Sequence, residues 1–280
     1  MSFPLPRLPL LAISEVIKSM DTRGIFEFSL VSKKSQNLVM LSIPKNSFSA
    51  EFTFRKKNFE FVLMPEGFNE GKARILPVVM CVNENESVFK RFSPCGLLVQ
   101  CVWTYFSEDE KYTRKLFYRF SKIFKKSKIN IIFEYDTREE FVMEMLRFAW
   151  ENDFLLDRVK FSLGNSSSES IQELLNRCNE HNTSIDIKTS FPEGFKCTPP
   201  PGGYKFNSLS VYSAHWVNLD DFLQCRQVDF VTGLPDLTNE YLNGLLKKIV
   251  NLECRIEDFT LNLWNQPIDF AQIVRGLSER

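Results

Sequence analysis

The sequence predicts an α+β protein in three successive parts: three short helices, an antiparallel β-meander, and an irregular α/β stack with a mostly parallel sheet. Three observations predict it. Between Leu8 and Leu41 apolar residues recur at three- and four-residue spacing, the mark of helices with one buried face. From Phe48 the apolar period changes to two, as on half-buried strands. Beyond Tyr112 helical and strand-like runs alternate, with strand starts about every 20 to 30 residues, the period range of solenoid repeats.

The first helix opens at Leu8-Pro9, where a proline's missing N–H costs nothing in the first turn. Leu10, Ile13, Val16, Ile17 and Met20 then make one apolar face. Asp21-Thr22 ends this helix and can cap the next, on which Ile25, Phe28, Leu30 and Val31 are apolar. Ser32 can cap a third helix carrying Leu38, Val39 and Leu41. So short a piece of chain cannot bury a full core alone, and it leaves apolar surface for another protein to cover. A boundary near Ile43 to Asn46 separates residues 1–45 from a body of residues 46–280.

In the body, Phe48, Ala50, Phe52 and Phe54 alternate with polar residues, and Phe59, Phe61 and Leu63 repeat the pattern. Lys56-Lys57-Asn58 between them suits a hairpin turn. Ile75 to Val82 and Leu97 to Val102 are further β-rich runs, and Pro77 makes the first an edge or interrupted strand. With turns at Pro65-Glu66-Gly67 and Pro94-Cys95-Gly96, residues 46–110 read as the meander.

Further along, Leu116, Phe117, Phe120, Ile123 and Phe124 form a helical stripe, and Ile129 to Tyr135 is a strand. Thr137 can cap a helix with Phe141, Met145, Leu146 and Phe148 on its inner side. Arg158 to Leu163 is a strand, Ser168 caps a helix carrying Ile171, Leu174 and Leu175, and Thr183 to Ile187 is another strand. Phe191 to Tyr204 contains Pro199-Pro200-Pro201-Gly202-Gly203, a loop. Leu209 to Tyr212, Val228 to Val231 and Phe259 to Leu263 are strands, with a helix from Leu237 to Val250 before the last. Such alternation predicts right-handed crossovers and a parallel sheet: a short leucine-rich-repeat-like stack, without a clean repeat or an Asn ladder.

Lys+Arg and Asp+Glu are both 35, so no net charge steers the chain toward nucleic acid or anionic membrane. The 27 Phe point to an aromatic-rich core. The seven Cys, at 81, 95, 101, 178, 197, 225 and 254, include no CxxC and read as free thiols in a reducing compartment. No signal-peptide pattern and no apolar run of membrane length is visible. A cytoplasmic or nuclear protein is expected.

The first stretch resembles an F-box. Leu8-Pro9, the Val16-Ile17 pair with Met20, and Phe28-Ser29-Leu30-Val31-Ser32-Lys33-Lys34 carry the likeness. Leu11 stands where many F-boxes have Glu, and no Trp follows Lys34. The resemblance implies docking on a Skp-type linker and through it a cullin, in an SCF-type cullin–RING ubiquitin ligase. The linker contacts it implies are Leu8, Pro9, Leu10, Ile13, Val16, Ile17 and Met20, with Leu30 and Val31; some of these must instead form the motif's own small core.

A second stretch, within about residues 205–265, resembles the type 2 F-box-associated domain of nematode-type F-box families. Ser213-Ala214-His215-Trp216-Val217, Leu219 and Leu223 carry it, with Thr238-Asn239, Leu242-Asn243 and Leu246-Lys247-Lys248. Ile249 stands where the family has Trp. The likeness implies that the body recruits the protein to be ubiquitinated. Exposed loops on a rigid scaffold carry binding, so Phe191 to Tyr204 and Gly233 to Asp236 are the candidate recognition loops.

No catalytic constellation is visible, so no enzyme is expected. His181 and His215 lack Cys or His partners at zinc spacing, and neither metal nor cofactor is expected. Cys197 and Cys225 carry no nucleophile signature, and Gly202-Gly203 follows prolines rather than a strand-to-helix turn. The alternative to a ligase adaptor is a nucleic-acid-binding module on the basic helix 112–128, where Lys115, Arg119, Lys122, Lys125, Lys126 and Lys128 interleave with aromatics. The zero net charge favours reading that helix as a solvated face whose Lys-rich end suits the helix dipole.

Overall fold

The computed structural model describes residues 8–56, 58–65, 76–83, 86–92, 98–106, 110–232, 237–251, 253–261 and 269–277. The turns expected at 66–67 and 94–96, and the loop 233–236, lie outside these residues. The chain divides into two compact units, Met1–Asp157 and Arg158–Arg280.

The first unit opens with α1 (Leu10–Ser19), α2 (Thr22–Val31) and α3 (Lys33–Ser42). Both expected caps form. Asp21 Oδ1 accepts the Gly24 N–H at 2.7 Å, and Ser32 Oγ accepts the Ser35 N–H at 3.0 Å, satisfying donors that a helix start leaves open. Pro9 is the N-cap residue of α1, so it precedes the first turn rather than lying inside it.

The strands follow as β1 (Phe48–Phe54), β2 (Asn58–Pro65), β3 (Leu76–Asn83), β4 (Glu86–Phe92), β5 (Leu98–Phe106) and β6 (Lys128–Phe133). Their order is β6-β1-β2-β5-β4-β3. β1 and β2 form the expected hairpin, with Phe52 opposite Phe61 and Phe54 opposite Phe59. The antiparallel part is therefore that hairpin joined to a three-strand meander, β3–β4–β5, through the β2–β5 pair. β4 has no counterpart in the sequence reading, because Glu86, Lys90 and Arg91 interrupt any apolar alternation. Pro77 lies on β3, the edge strand at the end of the order, where a proline is tolerated. β6 adds to β1 in parallel.

The core of this unit is built of phenylalanine. On α4 (Glu110–Ile123), Phe117 meets Phe52 edge-on at 5.0 Å. Phe54 stacks on Phe133 at 5.1 Å and meets Phe141 of α5 (Glu139–Glu151) at 5.6 Å. Each such pair adds about 0.5–1.5 kcal/mol beyond simple burial. Thr137 does not cap α5. Its hydroxyl donates to the Phe54 carbonyl at 3.2 Å, and Arg138 takes the N-cap position without a side-chain capping bond, its guanidinium donating to Glu110. Glu139 and Glu140 complement the dipole in the first turn instead.

The second unit runs β7 (Leu156–Asn165), α6 (Ser168–Glu180), β8 (Ser184–Ser190), β9 (Ser208–Ser213), a 3-10 turn at Leu219–Phe222, β10 (Gln227–Thr232), α7 (Asn239–Val250), β11 (Asp258–Leu261) and α8 (Phe270–Ile273). The five strands pair in parallel in chain order. That is the mostly parallel sheet of the expected stack. Register aligns Phe161, Ile187, Val211, Phe230 and Leu261 in one row, and Val159, Ile185, Leu209, Val228 and Phe259 in the next. Rows of this kind let each strand bury its apolar residues against its neighbours. The cap of α6 is Ser167, one residue before the expected Ser168, accepting the Ser170 N–H at 3.3 Å.

The capped-helix residues near α7 hold the chain's end. Thr238 Oγ1 accepts the Tyr241 N–H at 3.1 Å. Asn243 Nδ2 donates to the carbonyls of Ile273 and Arg275, and Asn239 Oδ1 accepts the Asp269 N–H. The four-residue α8 they secure was not visible in the sequence, since one turn carries no periodicity.

Candidate partner interface

The first three helices sort their apolar residues into two sets. Ile13 and Ile17 of α1 are buried with Ile25, Phe26, Leu38 and Val39, and form the small core of the trio. Leu10 is 55% exposed, Leu11 83%, Val31 75% and Leu41 66%. Pro9 is also exposed, while Leu8, Val16, Met20 and Leu30 are half-buried. The nine residues singled out from sequence thus divide: Ile13 and Ile17 turn inward, and the other seven keep access to solvent. Leu11 and Leu41 are exposed apolar residues absent from that set. Leu11 falls off the stripe that Ile13 and Ile17 define, and its apolar character at an exposed helix position was the available signal.

The rest of the first unit holds the trio from one side. Phe26 is buried against Phe61 at 5.4 Å, Phe120 at 5.0 Å and Phe124 at 6.4 Å. Arg119 of α4 donates to the Leu30 carbonyl at 3.1 Å, and Lys126 Nζ to the Met40 carbonyl at 3.0 Å. Both acceptors lie in the last turns of α2 and α3, where carbonyls lack helix partners and the dipole favours cations. Two of the basic residues near α4 therefore serve as helix caps. Most of the aromatics in and just after this helix are engaged as well: Phe117, Phe120 and Phe124 are buried, and Tyr118 stacks on Phe148 at 3.9 Å while its hydroxyl donates to Glu144, whereas Tyr112 is 42% exposed.

Residues 5–46 match the F-box domain. The match covers the three helices, so the exposed leucines and Val31 lie within the stretch that is similar to an F-box. F-box domains bind Skp1-type linkers and, through them, cullins, which supports a general role as an SCF substrate-recognition adaptor. Over nearly its whole length the chain is similar to the Skn-1 dependent zygotic transcript 15 protein of Caenorhabditis elegans, 23% identical over 297 aligned residues that cover 99% of this chain and 83% of the relative. No solved structure matches the chain. Among the described residues no helix is long and apolar enough to cross a membrane, and no group of His, Cys, Asp and Glu is placed to hold a metal ion.

Beyond the F-box, the Pro-rich loop of the second unit is pinned. Gln172 of α6 accepts the Thr198 N–H at 2.7 Å and donates to the Thr198 carbonyl and the Tyr204 hydroxyl. Phe191 and Phe195 close on Trp216 at 4.9 and 5.2 Å. Trp216 thus packs against this loop, which precedes it in the chain. Glu193, Lys196 and Thr198 remain exposed along it. Gln172→Ala removes the pin, and a loss of about 1–2 kcal/mol is expected. Hydrogen exchange should show the Thr198 amide exchanging faster while the β7–β8 ladder stays protected.

Three thiols of this unit, Cys178, Cys197 and Cys225, are poor nucleophiles. Burial pushes Cys197 up to about 11, aided by the Asp221 carboxylate, and Cys225 up to about 12; burial also raises Cys178. Folding therefore favours the protonated thiols. An unfolded thiol ionises near its ordinary value of 9.0, so the unfolded state holds fewer protons above that pH. Stability is fully present below about pH 9 and falls as pH rises toward the folded-state values. Urea unfolding at pH 8 and pH 10.5 should show the loss, and Cys225→Ala should reduce the pH difference.

Proposed function

We propose that this protein is the substrate-receptor subunit of an SCF-type ubiquitin ligase. It gathers a Skp-type linker and cullin on the F-box and a target protein on its body, and catalyses nothing itself. The contribution to rate is proximity, which turns a bimolecular transfer into an effectively unimolecular one. Linker contact rests on Leu8, Pro9, Leu10, Val16, Met20, Leu30 and Val31, while Ile13 and Ile17 support them from beneath. Residues 209–263, which resemble a type 2 F-box-associated domain, belong to the recruiting part. The body of residues 46–280 is the recruiting part as a whole, in a cytoplasmic or nuclear setting.

The observation that carries this reading is the pairing of an F-box match with uncovered apolar side chains on the matched helices. A specific interface buries about 1,600 Å² and leans on a few such anchors. The reading as a nucleic-acid module on residues 112–128 is weaker, because Phe117, Phe120 and Phe124 are buried and offer no base a stacking face. Affinity purification of the tagged chain, followed by mass spectrometry, is expected to recover a Skp-type linker and a cullin together. Recovery of neither, from cells that express both, would overturn the proposal. A gel shift that weakens steeply with salt would favour the nucleic-acid alternative.

A further inference from the structure

A second surface of the first unit has a different chemistry. Where the end of α3 meets the end of α4 and the turn after α5, a groove of about 360 Å³ opens to solvent. Met40, Ile123 and Leu155 make its apolar floor, and Leu155 is 39% exposed. Lys45, Lys122, Lys125 and Lys126 stand around it, against one carboxylate, Asp153. Four ammonium groups facing a single anion leave a local excess of positive charge in a chain that carries none overall.

Two of these cations are already engaged. Lys126 holds the Met40 carbonyl, and Lys122 lies 5.9 Å from the centroid of the Phe148 ring. Lys45 and Lys125 are exposed and make no ion pair among the described residues. We propose that this groove docks an acidic segment of a partner polypeptide, one that seats an apolar side chain on the floor and its carboxylates on Lys45 and Lys125. Charge complementarity selects the sign of the partner. The floor selects a polypeptide over a polyphosphate, because a nucleic-acid backbone has nothing apolar to place there. Phe120 and Phe124, the nearby aromatics of the same helical stripe, are buried and give bases no stacking platform. At physiological salt the field decays over about 8 Å, so only an occupant in the groove benefits from it. The proposal is independent of linker docking.

The test uses the full chain and a fluorescein-labelled peptide of about twelve residues, in which glutamates flank a central Leu-Phe pair. Fluorescence anisotropy should show saturable binding. Lys45→Glu with Lys125→Glu should weaken it at least ten-fold, and Leu155→Ser should do the same. Both sites are exposed, and an unchanged thermal melt would confirm that neither change unfolds the chain. Peptides with glutamine for glutamate, or with serine for the Leu-Phe pair, should each bind at least ten-fold more weakly. No binding of the acidic peptide, or equal binding by the double variant or by the serine peptide, would overturn the assignment. Tighter binding of a single-stranded oligonucleotide of equal length, lost in the same double variant, would reassign the groove to nucleic acid.

Discussion

Phe26→Ala should cost about 3–5 kcal/mol of folding free energy, the range for removing a fully buried aromatic side chain. Phe26 is 1% exposed and touches rings from β2, from α4 and from the segment just after it. Alanine would leave a cavity bounded by Phe61, Phe120 and Phe124, which are held by their own contacts and have little freedom to collapse inward. A domain commonly has only about 5–15 kcal/mol of stability, so the loss is a large share. Urea unfolding followed by far-UV circular dichroism is the measurement. The two compact units need not unfold together, and the shift should be confined to the transition of residues 1–157. A change below about 1 kcal/mol would mean that Phe26 does not join the helices to the β-strands as described.

The second large effect is on binding without stability. Leu10→Glu combined with Val31→Glu alters two exposed side chains, at 55% and 75% exposure. Surface changes of this kind stay within about 0.5 kcal/mol in folding. Buried as anchors under a linker, the same two residues would each cost more than about 1 kcal/mol on removal, and a charge in a desolvated contact costs more again. Affinity for a Skp-type linker is expected to fall at least a hundred-fold, read by calorimetry or biolayer interferometry, with the melt unchanged. Ile17→Ala is the contrasting case, since Ile17 is fully enclosed and its loss acts on folding first. Undiminished affinity in the double variant would place the linker on some other surface.

The contrast between Leu10 and Ile17 shows what the sequence could convey. Spacing identified the apolar face of α1 but could not say which of its residues the chain itself would cover, because periodicity records a face and not its neighbour. Phe26 was missed for a related reason. Phe28 fits the F-box pattern and drew attention to α2, yet Phe28 is half-buried and Phe26 carries the packing. The partner rings of Phe26 come from residues 61, 120 and 124, too distant in sequence for local pattern to reveal.

Strand placement divides in the same way. β7 to β11 were legible because each carries its own apolar alternation and the helix or loop that follows fixes a parallel neighbour. The pairing of β2 with β5 depends on long-range closure, which no short window encodes. Cap residues fell between these cases. Asp21 and Ser32 cap as expected, since the cap bond is local. Thr137 was drawn away by the Phe54 carbonyl, a partner that exists only once the strands have assembled.

The hold that Phe26, Arg119 and Lys126 exert on the first three helices also limits their use as a transplantable tag. Excised at residue 45, they would surrender an entire phenyl ring to water and leave the carbonyls of Leu30 and Met40 without their cationic lids. A graft that carried the β1–β2 hairpin and residues 110–126 along would keep both.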